Sequence, residues 1–507
     1  MTYTKKVVKG VLWVMTSSFL AAIFAYLVKL LIARNLSQEN FGLTYGIVAL
    51  FGLISIFAHF GLNETLSKYI SEFRIKKQFS NIKFSIVFAF LTQLAVNAIA
   101  TAIIFFSAHY LAIHYFKNPA AELIIKLFAI TFFLAPFEFI VIAAFQGFQR
   151  IKLYSFATLM RPVFLFFATL ILFFLGYNIL SYPFAMIGVF ALTFFVYIPI
   201  FFRNVFPEFS KIKLQFKKNL SKKLILFAIP VVISSSAFVV LSYTDTLMIT
   251  YFKTLQDVAY YNVAVPTAQV LGLISTSVAT VLLPISSEIW TKNKDLLIDA
   301  AKKIYKFASI IILPASFALF SFSDFVIITL FGAEYAPASS ALKILSIGGI
   351  FLTLGQINIT FLYGTGKPRY NSIIVWVAAI INLCLNFYMV PRFGINGAAF
   401  STAFSFGLML LLSQLTVKRL MGIAEDLPAI LKTIGCAIVF IASIYLLKNT
   451  LNISALPKII ISLLLASVIY VTLLLATKTI SLAELRDIWR ATFIQKRSAV
   501  YMPPEQE

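Results

Sequence analysis

Gln146-Gly-Phe-Gln-Arg-Ile-Lys-Leu-Tyr-Ser155 and Tyr363-Gly-Thr-Gly-Lys-Pro-Arg-Tyr-Asn-Ser372 are two short basic turns, each set between long apolar runs. Matching Gly147 to Gly364 gives an offset of 217. Leu175-Gly-Tyr-Asn178 resembles Phe393-Gly-Ile-Asn396 at 218, and Ser71-Glu72 aligns with Ser287-Glu288 at 216. Gln38-Glu-Asn-Phe-Gly42 falls near Leu255-Gln-Asp-Val-Ala259 at 217. Each match is weak alone, but a shared offset marks an internal repeat, and a repeat decides the architecture.

The runs between these turns are apolar enough to cross a membrane. Hydrophobic residues make up 61% of the 507, and charged residues only 12%, against about 25% charged in soluble domains. Mean hydropathy is +0.93. These values exclude a soluble globular enzyme, a disordered chain and a fibrous protein. A helical span needs about 20 apolar residues. Fourteen spans are predicted, at 11–33, 41–63, 84–108, 121–146, 153–175, 181–202, 224–250, 258–287, 304–322, 337–363, 372–390, 396–417, 430–447 and 457–476. The first is read as a span because it is too long for a signal-peptide core.

Charge supplies the orientation. With the N-terminus in the cytoplasm, the inner segments hold thirty-two of the 42 Lys and Arg, as the positive-inside rule requires. Both termini are then cytoplasmic, in the cell membrane. The net charge of +23 follows from basic loops facing an anionic leaflet, so no nucleic-acid partner is needed. The stretch Lys211, Lys213, Lys217, Lys218, Lys222 and Lys223 reads as an interfacial linker.

The fold class is therefore all-α and polytopic. The repeat maps spans 1–6 onto 7–12, and six is even, so the halves are parallel copies about a pseudo-two-fold along the membrane normal. The divisions are a six-helix lobe at 1–202, a basic linker at 203–223, a second lobe at 224–420, two further helices within 421–480 and a cytoplasmic tail at 481–507.

No catalytic motif is present. Gly364-Thr-Gly-Lys-Pro368 lacks the spacing and the Ser/Thr of a phosphate-binding loop. His59, His109 and His114 form no metal-ligand pattern. Cys384 and Cys436 read as small hydrophobes rather than a disulfide. No cofactor, metal or enzymatic activity is expected.

Ionisable residues inside spans cost about 2.5–3.5 kcal/mol each at mid-bilayer and so mark a candidate cavity: Lys29, Arg34, His59, Glu138, Arg161 and Asp245. Arg34 sits where it can snorkel to the outer headgroups. Glu138 and Arg161 can form a structural ion pair, and Asp245 can serve a helix–helix hydrogen bond. Asp245, Glu138 and His59 are candidates for coupling to a proton or cation. Gln93, Asn97, Gln269, Gln356, Asn358, Asn382 and Asn386 suit either helix packing or sugar binding; Asn382 and Asn386 share a helix face.

Ile32-Ala-Arg-Asn-Leu-Ser-Gln-Glu-Asn-Phe-Gly42, Gly147-Phe-Gln-Arg150, Ser242-Tyr-Thr-Asp-Thr-Leu-Met248 and Arg392-Phe-Gly-Ile-Asn-Gly-Ala-Ala399 resemble the polysaccharide-biosynthesis flippases. These belong to the multidrug/oligosaccharidyl-lipid/polysaccharide exporter superfamily. The resemblance implies two six-helix lobes plus two helices. It implies movement of a polyprenyl-linked oligosaccharide to the outer leaflet, with membrane lipids and other glycan-assembly proteins as partners. Lipid II flippases place several arginines in their cavity; here only Lys29, Arg34 and Arg161 can take that part. A multidrug or organic-cation antiporter of the same superfamily is the alternative, and a non-transporting glycan-assembly protein or membrane glycosyltransferase a third reading.

Overall fold

The computed structural model describes residues 3–292, 294–423, 426–451, 453–481 and 484, without the side chains of 3–12, 280, 281, 284, 285, 291 and 292. The described residues are helical and contain no strand. Among the described residues thirteen helices are long and apolar enough to cross a membrane. One of them, Pro368–Met421, runs for 54 residues and is two helices meeting at Gly394 (φ 58°, ψ −134°). Counting it twice gives the fourteen crossings predicted. Helices suit this setting because every backbone hydrogen bond closes within the segment.

The second crossing differs from its expected form. Gln38–His59 ends at Phe60, which is left-handed (φ 45°), and a new helix, Leu62–Ile75, starts after Gly61 (φ 62°). This helix occupies residues expected to form a loop between the spans 41–63 and 84–108. Glu64, Lys68, Glu72 and Arg74 depress the hydropathy there, but Leu62, Thr65, Leu66, Tyr69, Ile70 and Phe73 form one buried face. That spacing is the amphipathic-helix pattern.

The repeat recurs as local structure. Ser71 Oγ donates to the Gly147 carbonyl at 2.8 Å, and Ser287 Oγ donates to the Gly364 carbonyl at 2.7 Å. Gln149 (φ 56°) and Gly366 (φ 75°) take the same left-handed conformation two residues later. Gly176 (φ 83°) and Gly394 (φ 58°) both have positive φ in the next pair of matching turns. A Cβ at Gly147 would lie 2.8 Å from Ile70 Cβ, and one at Gly364 would lie 1.8 Å from Ser286 Oγ. Both glycines allow helix backbones to approach closely.

The chain gathers into two compact units. The first takes in Met1–Thr267, Ile327–Ala341 and Ser372–Ser405. Its core has one cluster around Leu66, Ile70, Phe145 and Tyr197, and another around Leu43, Ile47, Ile124 and Phe128. The basic linker is held here: Lys83 Nζ donates to the carbonyls of Phe209 and Ile212, and Lys217 Nζ donates to Asn81 Oδ1 at 2.5 Å. Residues 213–217 run without helix until Lys218–Phe252 begins. The second unit takes in Ala268–Val326, Leu342–Asn371 and Phe406–Glu507. Leu427–Thr450 and Ala455–Ala476 pack there around Phe440, Ile444, Ala466 and Tyr470. Cys384 is free and exposed, and Cys436 is free and buried. The tail expected at 481–507 lies outside the described residues except for Ser481 and Glu484.

Candidate functional site

All six ionisable residues singled out in the sequence fall in the first unit. His59 is the last residue of Gln38–His59, beside the break. A broken helix leaves carbonyls without intrahelical partners, and two amides of the helix Phe79–Tyr110 take them up. Asn97 Nδ2 donates to the Ala58 carbonyl at 3.3 Å, and Gln93 Nε2 donates to the His59 carbonyl at 3.2 Å. Gln93 Nε2 also donates to Asn63 Oδ1, and Asn63 Nδ2 lies 3.2 Å from His59 Nδ1. Gln93 and Asn97 therefore serve helix packing. The imidazole meets Phe139 edge-on at 4.3 Å.

Glu138 and Arg161 form an ion pair, Arg161 Nη1 donating to Glu138 Oε2 at 2.7 Å. Glu138 is fully buried, while the Arg161 side chain is 32% exposed. Among the described residues Glu138 Oε1 has no hydrogen-bond partner. The arginine is thus anchored at one end and open at the other, and it lies near His59 and Tyr182.

Lys29 has a different neighbour. Its Nζ lies 4.2 Å from the centroid of the Tyr45 ring. It makes no ion pair with a carboxylate among the described residues. A cation over an aromatic face keeps its charge available while gaining roughly 0.5–2 kcal/mol. Tyr45 stacks on Tyr182 at 6.3 Å. Nearby, the Tyr243 ring rests on Gly52, where a Cβ would come within 2.4 Å of it. Lys29, Arg161 and the rings of Tyr45, Tyr182 and Tyr243 form one polar and aromatic zone.

Arg34 stands apart from that zone. Its Nε donates to the Leu330 carbonyl at 2.7 Å, and its Nη2 to the Thr329 carbonyl at 2.5 Å. These are the last carbonyls of Ser323–Phe331, so Arg34 caps a helix C-terminus.

Asp245 is 4% exposed and sits in a cage of neutral donors. Tyr261 Oη and Thr402 Oγ1 both donate to its Oδ2 in short hydrogen bonds, and Asn386 Nδ2 donates to its Oδ1 at 2.6 Å. Asn386 also donates to Asn382 Oδ1, and Asn382 Nδ2 donates to Thr402 Oγ1. No Lys, Arg or His pairs with Asp245 among the described residues. A buried carboxylate without a counter-ion is costly, so this position suits a proton or a small cation. The oxygens of Asp245, Thr402, Asn382 and Tyr261 are hard donors of the kind such ions use. Among the described residues no three His, Cys, Asp or Glu come together as a metal site.

The sequence had named Asp245, Asn382 and Asn386 but had not joined them. Tyr45, Tyr261 and Thr402 were missed altogether. The repeat held a usable signal, since Tyr45 follows Lys29 by 16 residues and Tyr261 follows Asp245 by 16.

Among the described residues, fourteen crossings with polar residues buried among them define a multi-pass membrane protein. A family model described as polysaccharide biosynthesis protein matches residues 7–290, and the MatE model matches 230–388. The chain belongs to this polysaccharide biosynthesis family, a flippase family of the multidrug/oligosaccharidyl-lipid/polysaccharide exporter superfamily. It is 33% identical over 424 residues to an uncharacterized membrane protein of Methanocaldococcus jannaschii, covering 81% of this chain and 83% of the relative. It is 24% identical over 260 residues to a probable low-salt glycan biosynthesis flippase, Agl15, of Haloferax volcanii, covering 51% and 55%. Among solved structures, the lipid II flippase MurJ in an inward closed conformation matches with a TM-score of 0.75 at 15% identity, covering 90% of this chain and 97% of that one. An inward-facing multidrug resistance transporter matches at 0.65 and 14%, covering 79% and 94%.

Proposed function

We propose that the protein translocates a polyprenyl-(di)phosphate-linked oligosaccharide from the cytoplasmic to the outer leaflet of the cell membrane. It does so by alternating access between two six-helix lobes, 1–202 and 224–420, joined by the 203–223 linker. The observation that carries this reading is the position of Lys29, its Nζ 4.2 Å from the Tyr45 ring centroid and in no ion pair with a carboxylate among the described residues. A linking phosphate is an anion that such a cation binds, and the exposed side of Arg161 adds a second positive group. The Tyr45, Tyr182 and Tyr243 hydroxyls offer hydrogen bonds to a glycan, whose own hydroxyls each cost kcal/mol in hydrocarbon when unpaired. The polyprenyl tail can stay in lipid throughout. The family and the Haloferax volcanii flippase support the same substrate class, and other glycan-assembly membrane proteins would be its neighbours.

Asp245 is the coupling residue in this reading. Protonation or cation binding would neutralise it during the cycle, with Glu138 and His59 as secondary candidates. The alternative, an organic-cation antiporter, draws on the same buried carboxylate and on the MatE match.

Cells depleted of the protein provide the test. Complete glycan-lipid should build up on the cytoplasmic face, with both termini assayed there by tag accessibility. Wild type should clear it, and Lys29→Gln should not. Glycan-lipids unchanged on both faces, with new sensitivity to cationic dyes, would transfer the protein to the antiporter class.

A further inference from the structure

At the end of the first unit that carries the basic loops, a cleft of about 450 Å³ opens between Arg74, Phe79, Phe148, Arg150, Phe206 and Glu208. Its floor is aromatic: Phe148 lies 5.3 Å from Phe206, and Phe79 lies 6.2 Å from Phe206. Its rim is cationic. Arg74 donates to the Phe148 carbonyl and to Gln149 Oε1, and Arg150 Nη2 donates to the Asn204 carbonyl at 3.3 Å. Neither guanidinium has a carboxylate partner among the described residues. Their hydrogen bonds fix the two arginines in place without cancelling their charge.

The internal repeat supplies a comparison within one molecule. In the second unit, Lys367 Nζ donates to the Leu420 carbonyl at 3.2 Å, which matches Arg150 on Asn204 at the repeat offset. The carbonyl bond is therefore common scaffolding. Arg74, however, is matched by Trp290, and Lys367 and Lys294 lie over that indole at 5.4 and 5.0 Å. Only the first copy places a guanidinium where the second places a ring.

We infer that this cleft binds the phosphate of an anionic membrane lipid, the headgroup between Arg74 and Arg150 and the acyl chains along Phe79 and Ile75. Phosphate is the anion that guanidinium forks recognise. Phe79 and Ile75 are 40% and 78% exposed, so the cleft opens onto an apolar surface, which a lipid covers and a free phosphate does not. Glu208 lines the same cleft and makes no ion pair among the described residues. It opposes an anion there and limits the affinity.

The full chain, purified in detergent, is titrated with dioleoylphosphatidylglycerol and read by native mass spectrometry. Each arginine is expected to contribute about fivefold in affinity. Wild type should bind phosphatidylglycerol well above phosphatidylcholine. Arg74→Gln combined with Arg150→Gln should remove that preference. Glu208→Gln should tighten binding by about fivefold, a gain that a misfolded protein cannot produce. Equal binding of the two lipids, an unchanged preference in the double variant, or no gain in Glu208→Gln would overturn the assignment. Release of the lipid by millimolar inorganic phosphate would also overturn it, reassigning the cleft to a soluble anion.

Discussion

Lys29 and Asp245 stand 216 residues apart at matching places in the repeat, and each meets a tyrosine at the corresponding place, Tyr45 and Tyr261. The first half sets an ammonium on a ring face. The second sets a carboxylate against a phenol hydroxyl. One duplicated position has thus been given opposite charges, with a tyrosine suited to each: a π-face attracts a cation, and an O–H donates to an anion. The charge at Lys29 should therefore be what matters. Lys29→Arg should retain most glycan-lipid translocation, whereas Lys29→Gln should lower it by about tenfold or more, the scale of one lost charge-assisted contact. Initial rates in proteoliposomes carrying a fluorescent glycan-lipid provide the readout, and equal rates for all three proteins would remove Lys29 from the substrate path.

Asp245→Asn and Asp245→Ala should part company. The amide keeps the shape and can still accept from Tyr261 or Thr402, while removing a buried charge. Its melting temperature should equal or exceed that of wild type. Alanine leaves the donors of Tyr261, Thr402 and Asn386 without an acceptor, at about 1–3 kcal/mol each, and should melt lower. Both should transport at a rate independent of Na⁺ and of pH. Retention of wild-type ion dependence in Asp245→Asn would show that coupling lies elsewhere.

The Glu138–Arg161 pair calls for a double-mutant cycle. Arg161→Met alone leaves a fully buried carboxylate uncompensated, and breaking a buried pair in this way costs about 3–5 kcal/mol. Because Arg161 is 32% exposed, the lower end is expected. Glu138→Gln combined with Arg161→Met removes both charges and should recover most of the loss. If the double variant melts as low as the single one, the pair is not what stabilises this region.

The number of crossings was legible in the sequence because hydropathy and basic-loop asymmetry are averaged over many residues. The Gly147 and Gly364 turns were legible for a related reason, since a backbone that tolerates no side chain limits what can occupy it. The break at Phe60–Gly61 was not. Its evidence is the left-handed conformation of a phenylalanine, and nothing in the local composition requires that. Arg34 was misleading for another reason: an arginine near a helix end looks alike whether it faces headgroups, substrate or the carbonyls of a distant helix. The Asp245 cage draws on four helices, and only three-dimensional packing brings Tyr261, Asn386 and Thr402 to one carboxylate.

Glu484 predicts an acid-sensitive contact. Ser481 N–H donates to its Oε2 at 3.0 Å, its own N–H donates to Ser481 Oγ at 3.1 Å, and Lys306 Nζ lies 2.9 Å from Oε1. The Ser481 backbone bond, then Lys306, hold its carboxyl below the usual glutamate range. A depressed folded-state pKa contributes stability that is full above the ordinary glutamate value and is lost as pH falls through the lowered one. Amide exchange at Ser481 should accelerate in that acid range, beyond the intrinsic pH effect. In Glu484→Gln the protection should no longer depend on pH. Equal pH dependence in both proteins would exclude the carboxylate as its source.

Gly61 and Gly176 separate packing from backbone strain at the break. Both have positive φ, 62° and 83°, but a Cβ at Gly61 would lie 2.5 Å from the Ala228 carbonyl oxygen, while one at Gly176 meets nothing within 4 Å. Gly176→Ala should cost only the left-handed penalty, about 1–2 kcal/mol. Gly61→Ala carries the same penalty and must also push Lys218–Phe252 away from the break, carrying Tyr243 with it off the Gly52 face. It should melt lower than Gly176→Ala and lose translocation even at temperatures where it remains folded. Matching melting temperatures and rates for the two variants would mean that the approach of Ala228 to Gly61 is not needed to hold the broken helix, and that the tyrosine zone is fixed by other contacts.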